Sequence, residues 1–306
     1  MKEMNTNALQ YKVGITVLRA EHMGMCFGVR DAITLAKRVG QSRPLTLLGE
    51  LVHNSTVLED LRDHGIKIES QPSEVETETV MITAHGASDQ AKRRVRESGL
   101  ELRDATCPLV HHAHKQIRIL VEDGFHPVVI GRRGHVEVRG LTEDLVDCDV
   151  VLNEADIDAL LSRKRFGVVA QTTQPIARVR ELLEYMKVRF PTAEVRFVDT
   201  VCQTTKQRQS AAEALARRSD VVLVVGGANS NNTHELARTC RGFCEHVHHV
   251  QGPEDVRAEW LPESGTLGLT AGTSTPDVLI DAVEARVHDL SKCSDGRVSR
   301  PQAVLA

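Results

Sequence analysis

Aromatic residues are scarce in this 306-residue chain: one Trp, two Tyr and six Phe, 3% of the total. Stacking platforms for single-stranded nucleic acid are therefore nearly absent, and the core has to be built from Val, Ile, Leu and Ala. A basic excess is missing as well. Thirty-eight Lys and Arg against 42 Asp and Glu leave a net charge of −4, which argues against a nucleic-acid footprint. The short clusters Arg132-Arg133, Arg163-Lys164-Arg165 and Arg217-Arg218 read as solvated surface. No apolar run approaches the ~20 residues of a membrane span; VVLVVGG at 221–227 has the length of a buried strand. The N-terminal MKEMNTNALQYK contains no apolar core of a secretory signal. Compact disulfide-framework spacing is lacking too. The seven cysteines are odd in number and scattered, so they read as thiols or ligands. A cytoplasmic protein with no membrane and no nucleic-acid partner is expected.

What the chain does contain is a threefold repeat. Three segments read as strand, cysteine, helix: ITVLRAEHMGMCFGVRDAITLAKRV around Cys26, LRDATCPLVHHAHKQIRILVEDG around Cys107, and VRFVDTVCQTTKQRQSAAEALARR around Cys202. Apolar residues after each cysteine recur at three- and four-residue steps, the spacing of an amphipathic helix, and Pro108 suits a first helical position. A short apolar strand ending in glycine follows each time: LTLLGE, PVVIGR and VVLVVGG. From Cys26 to Gly49 is 23 residues, from Cys107 to Gly131 is 24, and from Cys202 to Gly226 is 24. Each unit then has a second apolar strand running into small polar residues, VMITAHGAS, FGVVAQTTQP and LGLTAGTSTP.

Alternating strands and helices in a repeat of this length predict α/β class, with three tandem pseudo-repeated domains. Each should be a small, mostly parallel sheet flanked by helices. Boundaries fall at 13–107, 108–201 and 202–291, with terminal extensions at 1–12 and 292–306.

Ligands of open α/β sheets bind beyond the carboxyl ends of the strands. Cys26, Cys107 and Cys202 all fall there, each at a helix N-terminus, where the helix dipole favours thiolate. Three units around a pseudo-threefold axis would bring the three cysteines to one point. Soft sulfur ligands select zinc, copper(I) or iron–sulfur clusters. Structural zinc takes four ligands in close pairs, and these cysteines lie far apart in the chain. A cubane held by three cysteines leaves one iron open. Both the cluster and zinc remain open at this point, the cluster being favoured. Cys148 and Cys293 stand alone. Cys240 and Cys244, near His246, His248 and His249, read as buried small hydrophobes. His111, His112 and His114 follow Cys107 on the helix and read as solvent-facing or packing residues.

The strand ends add polar groups. His53, His135 and Ser230 each stand four residues after the strand-ending glycine. The other strand ends contribute His85, Thr172, Thr173 and Ser274. Histidines, hydroxyls, amides and loop N–H groups together suit a phosphate- or diphosphate-bearing ligand. Glu137 stands two residues from His135 and is the candidate general acid; taken alone, it reads as an exposed carboxylate at a strand end.

These residues carry a resemblance. GMCFGVRDAI, ELVHNSTVLEDL, TAHGAS, DATCPLV, GHVEV, QTTQ, VCQTTKQRQ, VVGGANSNNTHEL and TAGTSTPD, in that order over about residues 16–290, resemble the 4-hydroxy-3-methylbut-2-enyl diphosphate reductase family (LytB/IspH). The resemblance implies a trefoil of three α/β domains around a central iron–sulfur site. It implies a [4Fe-4S] cluster with three cysteine ligands and one open iron, also seen as [3Fe-4S], on Cys26, Cys107 and Cys202. It matches His53, His85 and His135 to substrate-pocket histidines and Glu137 to the proton-delivering carboxylate, with His135 beside it. Thr172 matches the threonine near the substrate hydroxyl. Ser230, Asn232 and Ser274 match diphosphate-binding positions, and Asn231 keeps a side chain able to hydrogen-bond phosphate. The implied reaction is two-electron reductive dehydroxylation of 4-hydroxy-3-methylbut-2-enyl diphosphate to isopentenyl and dimethylallyl diphosphate. No flavin or nicotinamide motif is visible, so an external donor of ferredoxin or flavodoxin type is expected. The chain departs from the family motifs at Met25, at Val136 in place of proline, at Arg139 in place of an acid, and at Asn231 in place of a serine. Three other readings compete: a paralogous cluster enzyme acting on another phosphorylated hydroxy substrate, a non-catalytic iron–sulfur sensor, and a structural zinc protein. A sensor has no need of Glu137, Thr172 and an anion pocket.

Overall fold

The structure, a computed structural model, describes residues 9–10 and 14–294. The expected terminal extensions fall almost wholly outside these residues, as does the thiol of Cys293.

Three sheets form, each built on four parallel strands. The first runs in the order Lys67–Glu69, Leu45–Leu48, Thr79–Ile82, Glu101–Asp104. The second runs Asp149–Val151, His126–Ile130, Arg165–Ala170, Glu194–Phe197. The third runs His246–Val250, Val221–Val225, Gly265–Ala271, Ile15–Arg19, and the two-residue strand Leu9–Gln10 adds an antiparallel edge. The central strands are continuous Val, Ile and Leu runs buried on both faces, as parallel strands under helices require. The expected α/β class with small parallel sheets is what forms.

One expectation is corrected. The strand before Cys26 belongs to the third sheet, where Ile15–Arg19 pairs with Gly265–Ala271, and not to a first domain over 13–107. Its partner lies some 250 residues away, and no local pattern encodes that pairing. The correction sharpens the repeat. In every sheet the fourth strand leads into a cysteine: Asp104 towards Cys107, Phe197 towards Cys202, Arg19 towards Cys26. The helix after that cysteine then packs on the next sheet in turn. Ala32 and Ala36 of Phe27–Ser42 join Leu45 and Leu47. Ala113 and Ile117 of Pro108–Glu122 join Val129 and Val169. Ala211 and Leu215 of Gln203–Ala216 join Val222 and Val224. Each cysteine therefore sits on a crossover between two sheets.

The chain divides into two compact units, residues 25–207 and residues 1–24 with 208–306. The first holds two sheets and the second holds the third sheet. Among the described residues, no helix is long and apolar enough to cross a membrane.

Candidate active site

The larger unit contains all three repeat cysteines, and none is in a disulfide. Cys26 caps Phe27–Ser42, and Cys107 caps Pro108–Glu122 with Pro108 in the first turn. Cys202 precedes Gln203–Ala216, and its Sγ accepts the Thr205 N–H at 3.3 Å and lies 2.9 Å from the Thr205 hydroxyl. Burial pushes the Cys107 thiol up; the amides of Leu109 and Val110 pull it down, and the neighbouring Cys26 and Cys202 push it further up. Cys26 and Cys202 thus both lie within electrostatic reach of Cys107. Among the described residues, no three His, Cys, Asp or Glu side chains gather tightly enough to hold a single metal ion. Gly28 supplies the clearance: a Cβ there would stand 2.6 Å from the Cys107 Sγ.

The histidines named from the repeat converge. The rings of His53 and His85 stack at 4.7 Å, and His135 stands edge-on to both, at 5.7 and 5.6 Å. Each arrives from a strand end: His53 after Leu45–Leu48, His85 after Thr79–Ile82, His135 after His126–Ile130. The loop between strand and His53 turns at Gly49, whose φ of +84° favours glycine. His53 Nδ1 contacts Glu50 at 2.8 Å, a partner that the repeat gave no reason to select. His135 Nδ1 accepts the Glu137 N–H at 3.1 Å, so the neutral ring carries its proton on Nε2. Burial holds His135 down at about 4, assisted by His53, Arg132 and Arg139. His85 is pushed well below the usual range, by burial first and then by His53 and His135, and its Nδ1 is buried without a hydrogen-bond partner.

Glu137 is the largest surprise. It is 1% exposed, in the first turn of Val136–Thr142, and not an exposed carboxylate at a strand end. His135 caps that turn, which rotates the carboxylate inward. Its oxygens accept the Thr172 N–H at 2.7 Å and the Thr172 hydroxyl at 3.0 Å. Burial raises its carboxyl to about 7 against the pull of those two bonds. The Thr172 carbonyl in turn accepts the Cys202 N–H at 3.0 Å. In the first repeat, the Ala84 carbonyl beside His85 accepts the Cys107 N–H at the same distance. Thr173 contacts the Gln171 amide at 3.2 Å.

The smaller unit holds the remaining predicted residues. Ser230 caps Asn231–Arg241 and accepts the Thr233 N–H. Ser230, Asn231, Asn232 and Ser274 are all buried. Asn232 Oδ1 accepts the Thr273 N–H at 2.9 Å, while its Nδ2 has no hydrogen-bond partner among the described residues. An unsatisfied buried amide costs about 1–3 kcal/mol and is a group waiting for an acceptor. Sequence reasoning missed Thr273, although it adjoins Ser274. The unassigned cysteines behave as read: Cys240 and Cys244 are buried, and burial pushes the Cys148 thiol up to about 12. His111 and His112 are exposed, while His114 is buried.

A family model described as LytB protein matches residues 17–288. The chain belongs to the LytB family. Two relatives bear the name 4-hydroxy-3-methylbut-2-enyl diphosphate reductase. The one from Aquifex aeolicus is 33% identical over 284 residues, covering 90% of this chain and 97% of its own. The one from Geobacter sp. strain M21 is 34% identical over 279 residues, covering 90% and 98%. Among solved structures, the reductase from Plasmodium falciparum superposes with a TM-score of 0.83 at 25% identity, covering 88% of this chain and 86% of that one. A second, described as the terminal enzyme of the non-mevalonate pathway, gives 0.65 at 32% identity, covering 90% and 99%. LytB proteins are iron–sulfur reductases, and the family explains why cysteines, histidines and an acid are gathered in one chain.

Proposed function

We propose that this protein reduces 4-hydroxy-3-methylbut-2-enyl diphosphate to isopentenyl and dimethylallyl diphosphate, the terminal step of the methylerythritol phosphate route to isoprenoids. The observation that carries the reading is Glu137: a fully buried carboxyl raised to about 7, held by Thr172 in the same unit as three clustered histidines and three cysteines outside any disulfide.

Cys26, Cys107 and Cys202 suit an iron–sulfur cluster. None of the three is in a disulfide, Cys26 and Cys202 both lie within electrostatic reach of Cys107, and Gly28 leaves room at Cys107. We assign them as the three ligands of a [4Fe-4S] cluster, which when bound supplies electrons and a Lewis-acidic iron. The chain's own residues do the rest. His53, His85 and His135 present ring N–H groups to an anionic or hydroxyl-bearing substrate. Ser230, Asn231, Asn232 and Ser274 are assigned to the diphosphate, the orphaned Asn232 amide donating to an oxygen. Thr172 orients the leaving hydroxyl, and Glu137 delivers protons: one to the departing oxygen and one to the allylic carbon. A carboxyl poised near neutrality is suited to both. Electrons arrive from an external carrier of ferredoxin or flavodoxin type.

The test is anaerobic turnover. Reconstituted protein with a strong one-electron reductant should convert the substrate to both five-carbon diphosphates. Substrate that binds and is never consumed would assign the protein to a paralogue or a sensor.

A further inference from the structure

His234 and His249 of the smaller unit are not among the predicted site residues. His234 stands on the helix Asn231–Arg241 and His249 on the edge strand His246–Val250. Their rings meet edge-on at 5.3 Å. Both reach the loop 226–229, which joins the strand Val221–Val225 to Ser230. His249 Nε2 lies 2.8 Å from the Gly226 carbonyl, and His234 Nε2 lies 2.5 Å from the Ala228 carbonyl. A carbonyl can only accept, so each ring carries a proton on Nε2 and donates it. Gln251, two residues beyond His249, accepts the Ala228 N–H at 3.2 Å.

These bonds decide which way the other side of the loop faces. Among the described residues every peptide bond is trans. In a trans peptide the C=O of one residue and the N–H of the next point in opposite directions. The Gly226 carbonyl is turned to His249, so the Gly227 N–H points away from the rings. The Ala228 carbonyl is turned to His234, so the Asn229 N–H does the same. The peptide between them is reversed: its N–H goes to Gln251, and the Gly227 carbonyl accepts the Ser230 N–H at 3.0 Å. The Gly227 and Asn229 N–H groups thus face the side of the loop on which Ser230 lies. Among the described residues neither has a hydrogen-bond partner, and Gly227 is buried.

Loop N–H groups turned to one side make a concave cradle for an anion. Another unsatisfied donor, Nδ2 of the 3%-exposed Asn232, stands in the first turn of the helix that follows. Gly226 lets the loop press on that turn, since a Cβ there would overlap the Thr233 hydroxyl.

We propose that His234 and His249 are positioning residues for the diphosphate: by holding the Gly226 and Ala228 carbonyls, they turn the Gly227 and Asn229 N–H groups towards its phosphoryl oxygens. The inference rests on the diphosphate reading of this unit and adds two backbone donors to it, with the side chains that orient them. The Nε2–H is present in the neutral and in the charged ring, so the effect does not depend on titration of either histidine.

The test is the double variant His234→Phe/His249→Phe, which keeps two rings and removes both donors, measured in the cluster-loaded enzyme. The calorimetric Kd for inorganic diphosphate and the substrate KM should both rise roughly tenfold, and kcat should move less than either. His234→Gln/His249→Gln keeps an N–H within reach of each carbonyl and should restore most of the affinity. His234 is exposed, so His234→Phe alone serves if the double variant does not fold, with a rise of about threefold in both constants. A loss that glutamine fails to restore would make the rings packing groups and overturn the proposal. Active wild type, with Kd and KM unchanged in the variants, would also overturn it and leave the reductase reading standing. Wild type that binds inorganic diphosphate through these histidines but never consumes the substrate would sink the reductase reading and leave the two histidines in their role.

Discussion

Thr172 donates two hydrogen bonds to Glu137, from its backbone N–H at 2.7 Å and its hydroxyl at 3.0 Å, while its carbonyl accepts the N–H of Cys202. One residue therefore ties the buried acid to a strand-end cysteine. The two donors favour the carboxylate, and burial opposes them and wins. A carboxyl in this balance holds its proton at neutral pH but can release it, as a general acid must.

Replacing Glu137 with Gln tests that role directly. Glutamine keeps an acceptor for the Thr172 N–H and the same shape, but has no proton to give. Turnover should fall by about 10²–10⁴-fold, the usual share of general acid catalysis. The visible absorption of the bound cluster should be unaltered. A variant retaining kcat within a few-fold of wild type would remove Glu137 from proton delivery.

The same carboxyl sets a pH dependence. Its proton is held below about 7 and lost above, so kcat should decline as pH rises through that value. An infrared band of the protonated carboxyl, absent in Glu137→Gln, should titrate with the same midpoint. Stability moves in step. The folded state keeps a proton that an ordinary glutamate gives up near 4.5, so it binds more protons than the unfolded state between these values. Stability should fall as pH rises from about 4.5 to 7, by about 3 kcal/mol in all. Urea midpoints of wild type and Glu137→Gln, compared across this window, should converge at the acid end. Parallel curves would contradict the burial argument.

The cysteines and most strand-end residues could be read in the sequence because the repeat states each position three times. Cys26, Cys107 and Cys202 needed only equal spacing to the following glycine. The strand Ile15–Arg19 was misassigned because pairing with Gly265–Ala271 is a long-range event, which hydrophobic pattern cannot express. Glu137 was legible as a candidate acid but not in its environment. VEV alternates like a strand, yet His135 caps a helical turn there, and the residue that buries the carboxylate lies 35 positions away. Gly28 left no signal, since its role is the space between its Cα and a sulfur of another helix.

Neutral histidines facing an anion predict proton uptake. His135 titrates at about 4, and His85 is also held well below its ordinary value. His135 is neutral at pH 6, and burial disfavours the charged form of His85. A diphosphate beside them would raise both by direct charge attraction. Calorimetry of inorganic diphosphate binding at pH 6, in two buffers of different ionisation enthalpy, should show net proton uptake. His135→Asn should reduce it. Binding with no proton exchange would place the anion away from these rings.

Gly28 gives the sharpest test of the cysteine assignment. A methyl group at this position would stand 2.6 Å from the Cys107 Sγ and 3.2 Å from its Cβ, inside van der Waals contact, so the thiol has to move. Gly28 stands in the first turn of Phe27–Ser42, where alanine is no worse a helix former than glycine. A loss in Gly28→Ala therefore cannot come from helix propensity. If Cys107 is a cluster ligand, reconstituted Gly28→Ala should bind less iron and sulfide per chain than wild type while its far-ultraviolet circular dichroism is unchanged. Full iron loading with wild-type absorption would mean that Cys107 has freedom to shift without loss, and the assignment of Cys107 as a ligand would then need direct support from Cys107→Ser.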